Sequence, residues 1–441
     1  MPFEPRSITE TGVPYFQVQT FTRSGRENGV EISIGVSTES IVFARNGDRY
    51  EAACEIVCRV LNQETEKVIR EVAWVDTLQT TEYNRTQSRE VRYMSRFVPL
   101  EPGSYVVEAT LTDRNSGKTA VRLRRTRVAD ATGNGPGVAG IEIRFRDQRG
   151  RSVPLLGLYL DRTAGTVDCS SEVNNLLPGD SVVAIVEVLQ GERDTSLPAV
   201  PYSFAPLHGS LDYSGMSFSD PVTRLVDTVA FTHPPQSVLE WQFSAGEEGL
   251  YLIRVEGTVY HKGSIPEPLV QATRPLVVVS RGFPRPSELD RLLGPLEYIM
   301  VDAERDSLQT KKTEATGRSF METFWKSVGK NEEAASNVIE QYYARVEEAN
   351  EYFSSFCEGW RTDRGMIYIV LGPPFSVQTG LQGEVWNYSY VEGDRLNSYS
   401  FRSVSLPEEF QSFEHLLLER QPYYDQGWFA AIDRWRRGSG Y

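Results

Sequence analysis

Histidine and cysteine are scarce in this sequence, with four residues of each among 441. Metal clusters and histidine-dependent catalysis therefore have few side chains to draw on. Cys54 and Cys58 lie on one face of a predicted strand, where their separation of about 13 Å is too large for a disulfide. The first 150 residues contain no further cysteine or histidine that could complete a zinc site. We therefore expect buried core thiols, and neither a metal nor another cofactor.

Long apolar runs are absent as well, because no stretch approaches the roughly 18 consecutive apolar residues of a membrane-spanning helix. The first residues, Met1-Pro2-Phe3-Glu4, lack the basic and then apolar profile of a secretory signal. Acidic residues outnumber basic ones by 60 to 46, which gives a formal charge of −14. A surface of this charge repels polyanions, so the sequence predicts no nucleic-acid partner. The absence of a long apolar run predicts that this chain has no transmembrane segment.

What is present is an ordinary globular composition, 40% hydrophobic and 24% charged, in a chain long enough for about three domains. Apolar and polar residues alternate over residues 30–36, as in a half-buried antiparallel strand. Asn46-Gly47 predicts the two central residues of a type I′ hairpin turn. Short strand patterns of this kind, spaced by turn signals, predict an antiparallel β-sandwich over residues 1–131.

A glycine-rich stretch at residues 132–140 indicates a linker, and the strand patterns after it predict a second β-sandwich over residues 138–281. Two segments suggest that the sandwiches are related. In residues 103–109 and again in 249–255, a turn glycine precedes a tyrosine that opens an alternating strand. We interpret these segments as the same late strand of two copies of one fold.

After the prolines of residues 282–286, the apolar residues recur with the 3.6-residue period of helices. Helices are predicted to begin near residues 287, 320, 332 and 424, and strands are predicted at 366–371, 384–390 and 399–404. We expect residues 287–441 to form an α/β domain with a small, mostly antiparallel sheet. The predicted fold is thus two tandem antiparallel β-sandwiches followed by this C-terminal domain.

Between the long helix and the first of these strands, the sequence reads Gly359-Trp360-Arg361-Thr362-Asp363-Arg364-Gly365 and continues into MIYIVLGPP. This segment resembles the GWxTD-domain family of bacterial proteins, which is named for the five-residue motif. Phe324-Trp325, the helix of residues 342–356 and the segment EVWNY at 384–388 extend the resemblance over roughly residues 287–405.

The resemblance implies an extracytoplasmic protein, periplasmic or associated with the outer membrane, that is made with a signal or lipoprotein leader. The missing leader is then expected to reflect a mature or trimmed chain. The family has no agreed biochemical activity, so the resemblance does not imply a reaction. An acidic residue often follows the Pro-Pro pair in the family, whereas Phe375 stands at that position here. This difference weakens a catalytic or metal-binding role for the loop.

The motif has a structural interpretation, which we favour. Gly359 would end the long helix in a left-handed C′ conformation, and Trp360 would pack back on its last turn. Thr362 and Asp363 would accept hydrogen bonds from nearby backbone N–H groups, and Gly365 would complete a turn into the strand.

A chemical interpretation is the alternative. Asp363 and Glu384 would form the carboxylate pair of a hydrolase acting on a peptide or glycan, with Trp360 and Trp386 as a stacking platform. A closed turn that uses the Asp363 oxygens would count against this role, and an open cleft with both carboxylates about 5–10 Å apart would support it.

Two further features need an interpretation. Arg122, Arg124, Arg125 and Arg127 alternate along one predicted strand, which is more typical of a charged edge strand than of a phosphate groove. Most tryptophans lie in the last third of the chain, where they could form an aromatic core or a docking groove. The candidate binding residues are Trp360, Trp386, Trp428 and Trp435. We expect the helix that carries the last two to cap its own domain.

These patterns predict a non-enzymatic envelope protein that binds other proteins or a surface glycan. The aromatic-rich C-terminal domain would make the contact, and the β-sandwiches would act as spacers. The alternative is the hydrolase that uses Asp363 and Glu384.

Overall fold

The computed structural model describes residues 7–10, 16–23, 28–88, 91–128, 135–138, 140–146, 150–203, 215–269, 271–310, 313–328, 332–391 and 394–438. Residues 132–134 and 139 of the predicted linker lie outside these ranges. The fold is rich in antiparallel sheet and has a helical C-terminal region, which confirms the predicted fold class. Within the described ranges, no helix combines the length and the apolar character that crossing a bilayer requires.

The first part of the chain forms two facing sheets. Its elements are β1 (Ser7–Glu10), β2 (Phe16–Arg23), β3 (Gly29–Ser37), β4 (Ala44–Asn46), β5 (Arg49–Asn62), β6 (Val68–Thr80), α1 (Tyr83–Thr86), β7 (Val91–Pro99), β8 (Gly103–Asp113) and β9 (Thr119–Val128). One sheet has the order β2-β3-β7, and the other has the order β4-β5-β8-β9 with β6 also paired to β5. Alternate residues of both sheets fill one apolar core, which includes Cys54 and Cys58 as predicted.

The second part has the same plan. Its strands are β10 (Gly137–Val138), β11 (Glu142–Arg146), β12 (Ser152–Pro154), β13 (Tyr159–Asp161), β14 (Thr166–Asn174), β15 (Ser181–Arg193), β16 (Met216–Thr232), β17 (Val238–Ser244), β18 (Gly249–Tyr260), β19 (Glu267–Pro268) and β20 (Ala272–Val279). The run β16-β15-β18-β20 repeats the pairing order of β6-β5-β8-β9 in the first sandwich. A second apolar core fills the space between its sheets.

The two tyrosine segments occupy equivalent places in the two sandwiches. Tyr105 opens β8 and Tyr251 opens β18. The Tyr105 hydroxyl donates to the carbonyl of Glu101 at 2.7 Å, and the Tyr251 hydroxyl donates to the carbonyl of Glu247 at 2.8 Å. Both bonds have the form of the tyrosine corner of β-sandwiches. The interpretation of these segments as one repeated strand is therefore confirmed.

The C-terminal part wraps helices around a small antiparallel sheet. Its elements are α2 (Leu289–Leu293), α3 (Asp302–Gln309), α4 (Glu314–Ser327), α5 (Glu332–Phe353), α6 (Asp363–Leu371), β21 (Ser376–Gly380), β22 (Gly383–Asn387), β23 (Ser398–Ser403), β24 (Leu416–Leu418) and α7 (Asp425–Arg436). The sheet order is β1-β21-β22-β23-β24. The first strand of the chain, β1, thus lies on the edge of the C-terminal sheet, with Ser7 opposite Thr379.

The strand predicted at residues 366–371 is wrong, because these residues belong to helix α6. The Thr362 hydroxyl caps this helix by accepting a hydrogen bond from the backbone N–H of Gly365 at 3.0 Å. Every residue of α6 is buried. A helix that is apolar on all sides shows no 3.6-residue alternation, so its short apolar run resembles a central strand.

The first hairpin turn lies one residue later than predicted. Asn46 pairs with Arg49, so the two turn residues are Gly47 and Asp48. Gly47 has a φ of 64°. A glycine with positive φ at the first central position is typical of a type II′ turn, rather than the predicted type I′.

The sandwiches pack on the C-terminal part and are not spacers that hold it away, so this prediction is wrong. An apolar cluster joins Leu250 and Val277 of the second sandwich to Phe356 and Phe413. On the first sandwich, the Gln17 amide donates to the carbonyl of Glu351 at 2.6 Å. Apolar burial and polar bonds across the boundaries both oppose free movement of the parts.

Candidate functional site

The motif connects helices α5 and α6 through a tight turn, and its glycines provide space. Gly359 does not take the left-handed conformation predicted for it. A Cβ atom on Gly359 would instead lie 1.8 Å from the carbonyl oxygen of Ala349 in α5. A Cβ atom on Gly365 would lie 1.9 Å from the carbonyl oxygen of Gly359. Both glycines are therefore required by close backbone packing.

Trp360 anchors this turn in the interior. Its backbone N–H donates to the Asn350 side chain at 3.1 Å, and its carbonyl accepts from the Tyr298 hydroxyl at 2.5 Å. The Arg361 guanidinium lies 4.1 Å from the centre of its ring. The indole is fully buried, and the edge of its ring lies against Gly294, just after α2.

Asp363 begins helix α6 and joins it to the sheet. One carboxylate oxygen accepts from the backbone N–H of Leu418 in β24 at 2.7 Å, and the other lies 2.6 Å from the Arg420 guanidinium. The side chain is only 3% exposed. Asp363 does bond a backbone N–H group, as predicted, but the group belongs to a distant strand and not to a local turn. Both oxygens are thus used for internal contacts.

Glu384 has a separate set of partners. Its carboxylate accepts from the Trp386 indole N–H at 2.9 Å and lies 3.5 Å from the Arg364 guanidinium. Arg364 also reaches Glu414 at 2.8 Å. Asp363 and Glu384 are therefore each balanced by their own arginine. Trp360 and Trp386 offer no exposed ring face beside them. This geometry does not favour a carboxylate pair acting on a stacked substrate.

The candidate binding tryptophans all lie in the interior of the C-terminal part. Trp386, Trp428 and Trp435 are fully buried and, with Trp360, belong to one apolar core. The Trp435 indole N–H donates to the carbonyl of Val370 in α6 at 2.9 Å. Helix α7 therefore caps its own domain, as predicted. The tryptophans contribute to packing and do not form an exposed docking groove.

A cavity of about 110 Å³, lined by both polar and apolar side chains, lies where the first sandwich meets the C-terminal sheet. We call it the junction cavity. Strand β9 contributes Arg124 and Arg125, strands β21 and β22 contribute Thr379 and Glu384, and the chain before β24 contributes Glu414 and His415. Of the two predicted carboxylates, Glu384 lines this cavity and Asp363 does not.

Sequence comparison agrees with the motif. Residues 266–437 match the family model of the GWxTD domain. The C-terminal region is a GWxTD domain. No curated protein matches the chain.

Structural comparison finds remote similarity to β-rich proteins. Red sea bream transglutaminase is 8% identical over 60% of this chain and 31% of its own, with a TM-score of 0.19. Salmonella alpha-2-macroglobulin reacted with methylamine is 12% identical over 65% of this chain and 17% of its own, with a TM-score of 0.21. The C-terminal domain of the Streptococcus pyogenes antigen I/II-family protein AspA is 9% identical over 59% of this chain and 98% of its own, with a TM-score of 0.18. The chain thus spans less than a third of the first two proteins.

The arginine-rich strand faces the GWxTD domain. Strand β9 lies at the edge of its sheet, as predicted. Arg124 forms an ion pair with Glu414, and Arg127 lies 3.6 Å from Glu408. Arg125 donates to the carbonyl of Leu381 at 2.7 Å. These arginines therefore connect the first sandwich to the GWxTD domain.

One group of exposed apolar residues of the GWxTD domain lies on two loops at one end of its sheet. Phe375 follows the Pro-Pro pair, and its ring centre lies 3.9 Å from that of Tyr390. Tyr390 is 84% exposed, Val391 is 69% exposed and Leu396 is 54% exposed. We call these four residues the apolar loop patch. The sequence pattern does not reveal it, because it predicts Tyr390 at the end of a strand, whereas β22 ends at Asn387. Apolar residues between two strands are the signal that could have revealed it.

Proposed function

We propose that the chain is a non-enzymatic, extracytoplasmic envelope protein that binds a protein partner through the apolar loop patch of its GWxTD domain. The observation that carries this proposal is the exposure of Tyr390, Val391 and Leu396 at one end of the sheet, where the Tyr390 ring lies against that of Phe375. Water-exposed apolar groups that cluster in this way mark interaction sites more often than scattered ones do. The extracytoplasmic location is supported by the resemblance of the motif region to an exported family.

The patch is held in place by its base. The backbone N–H of Tyr388 donates to the carbonyl of Asn397 at 2.8 Å, and the Tyr388 hydroxyl donates to the carbonyl of Gly372 at 2.8 Å. The Asp394 carboxylate accepts from the backbone N–H of Leu396 at 3.2 Å. A preorganised aromatic and aliphatic surface loses little conformational entropy on binding, which favours an interface with an apolar surface of another protein.

The contacts of Asp363 support a role without catalysis. A general base needs a free oxygen within hydrogen-bond reach of its substrate. Asp363 uses one oxygen for Leu418 and the other for Arg420, and both contacts stabilise the domain. These contacts leave Asp363 without a free oxygen for a substrate, so they count against the hydrolase alternative.

A crosslinking experiment tests the proposal. A photoreactive amino acid replaces Tyr390 in the full chain, in the cells that make it, and Tyr260 on the second sandwich serves as the matched control because it is also exposed. We expect one protein to crosslink at position 390 and not at 260. The purified partner should then bind the full chain, and Tyr390→Ser with Val391→Ser should weaken this binding by about tenfold or more.

Two results would contradict the proposal. One is equal crosslinking at both positions, which would mean that the patch does not select a partner. The other is a purified glycan that binds at position 390 in place of a protein, which would retain the site and change the partner class.

A further inference from the structure

We propose that the junction cavity is a binding site for a small monocarboxylate anion. Two side chains of its lining carry a buried polar atom without a hydrogen-bond partner among the described residues, the Thr379 hydroxyl and Nδ1 of His415. Thr379 is 4% exposed and His415 is 7% exposed. Unpartnered polar atoms at such depth are uncommon, because each one loses its hydrogen bonds to water without gaining one in the protein.

The two residues come from different elements, and both line the junction cavity. Thr379 lies on β21 directly opposite Glu384 of β22, so both side chains point to the same face of the sheet. His415 precedes β24, and its ring centre lies 4.6 Å from that of Phe356. The cavity volume of about 110 Å³ is several times the space that one water needs, so it has room for a molecule the size of acetate.

The charges around the cavity favour an anion. Arg364 pairs with both Glu384 and Glu414, and Arg124 pairs with Glu414. Arg125 lines the cavity and forms no ion pair among the described residues. Arg364 and Arg124 thus neutralise Glu384 and Glu414. Arg125 is the guanidinium of the lining that has no carboxylate partner among the described residues, so a monocarboxylate could pair with it.

The hydrogen-bonding groups fit the same ligand. A hydroxyl and a neutral imidazole can each donate one hydrogen bond to a carboxylate oxygen. Burial first, and then the nearby Arg364, lowers the pKa of His415 to about 4, so the ring is neutral at pH 7. Arg125 is already oriented by its bond to Leu381 at 2.7 Å and would add a charge-assisted hydrogen bond.

The test uses the full chain labelled with ¹⁵N-histidine. The His415 ring signals are assigned by elimination with His208→Gln, His233→Gln and His261→Gln, so that His415 itself stays unchanged. Sodium acetate is titrated at constant ionic strength, and acetamide serves as the neutral probe of the same size. We expect a saturable shift of the His415 signals with acetate and none with acetamide at equal concentration.

Matched variants connect the shift to the cavity. Arg125→Gln should weaken acetate binding by about tenfold or more, which is the loss of one charge-assisted hydrogen bond. Arg127→Gln on the same strand, outside the cavity lining, should leave the affinity unchanged. A shift that does not saturate, an equal shift with acetamide, or equal affinities of the two arginine variants would each overturn the proposal.

Discussion

The motif region and the apolar loop patch of the GWxTD domain differ in almost every physical respect. Gly359, Trp360 and Asp363 are buried and make internal contacts. The backbone of Ala349 packs against Gly359, the Trp360 N–H donates to Asn350, and the Asp363 carboxylate accepts from Leu418. Tyr390 and Val391 are exposed, and their side chains contribute little to the core. The most recognisable sequence in a domain can therefore encode its architecture, while the surface that we propose for a partner lies on loops that the motif does not include.

The largest expected effect is at Gly359. Gly359→Ala places a methyl group where the backbone of Ala349 lies, so helix α5 and the turn must separate. We expect a loss of about 4 kcal/mol or more of unfolding free energy, or no folded protein. Gly246→Ala is the control, because its Cβ would meet only Ser244 Oγ at 3.7 Å. Urea unfolding measures both variants, and similar stabilities would contradict the packing argument.

The next effect is at Asp363. Asp363→Asn removes the charge that balances the buried Arg420, and an unpaired buried charge costs about 3–5 kcal/mol. Glu71→Gln breaks the exposed pair with Arg59, for which about 0–1 kcal/mol is expected. Thermal and urea unfolding compare the two variants. An Asp363→Asn protein with wild-type stability would mean that this carboxylate does not hold the domain together.

A smaller effect depends on pH and concerns His415. Its folded pKa of about 4 lies below the usual value of 6.5, so the unfolded chain binds a proton first as the pH falls. The stabilising effect of the neutral ring is complete above pH 6.5 and is lost as the pH falls to about 4, by ~3 kcal/mol in total. We expect His415→Gln to flatten this part of the pH profile, measured by urea unfolding at pH 7 and pH 5. His233→Gln is the control, and an equal change in both variants would contradict the assignment.

The smallest effect on stability is at the patch. Tyr390→Ser with Val391→Ser changes two exposed side chains, so the unfolding free energy should change by about 0.5 kcal/mol or less. Circular dichroism during thermal unfolding provides this measurement. A large loss of stability would show that the patch is part of the core. The motif region and the apolar loop patch would then not differ in their contribution to folding.

Local patterns predicted the parts of the fold that depend on neighbouring residues. Alternation identified individual strands such as β3, and the Gly-x-Tyr segments identified β8 and β18. Helix α6 could not be recognised in this way, because its burial on every side removes the periodicity of its sequence. The addition of β1 to β21 joins residues at opposite ends of the chain, and no local pattern encodes such a pairing.

The candidate site was harder to predict than the fold. Trp360, Trp386, Trp428 and Trp435 were candidate binding residues, and they lie in the C-terminal core instead. The sequence did not show which way their rings point. The junction cavity depends on how β9 packs against the sheet of the GWxTD domain, which is a tertiary contact. Phe375 was noticed as a departure from the family pattern, and its exposed partner Tyr390 became visible only with the loop geometry.

The most direct test measures stability and partner affinity in the same two proteins, Asp363→Asn and the double variant Tyr390→Ser with Val391→Ser. We expect the patch variant to keep its unfolding free energy and to lose partner binding. We expect Asp363→Asn to lose stability but to bind the partner normally per folded molecule. An Asp363→Asn protein of wild-type stability that no longer binds, together with a patch variant that binds normally, would mean that the motif and not the patch is the binding site.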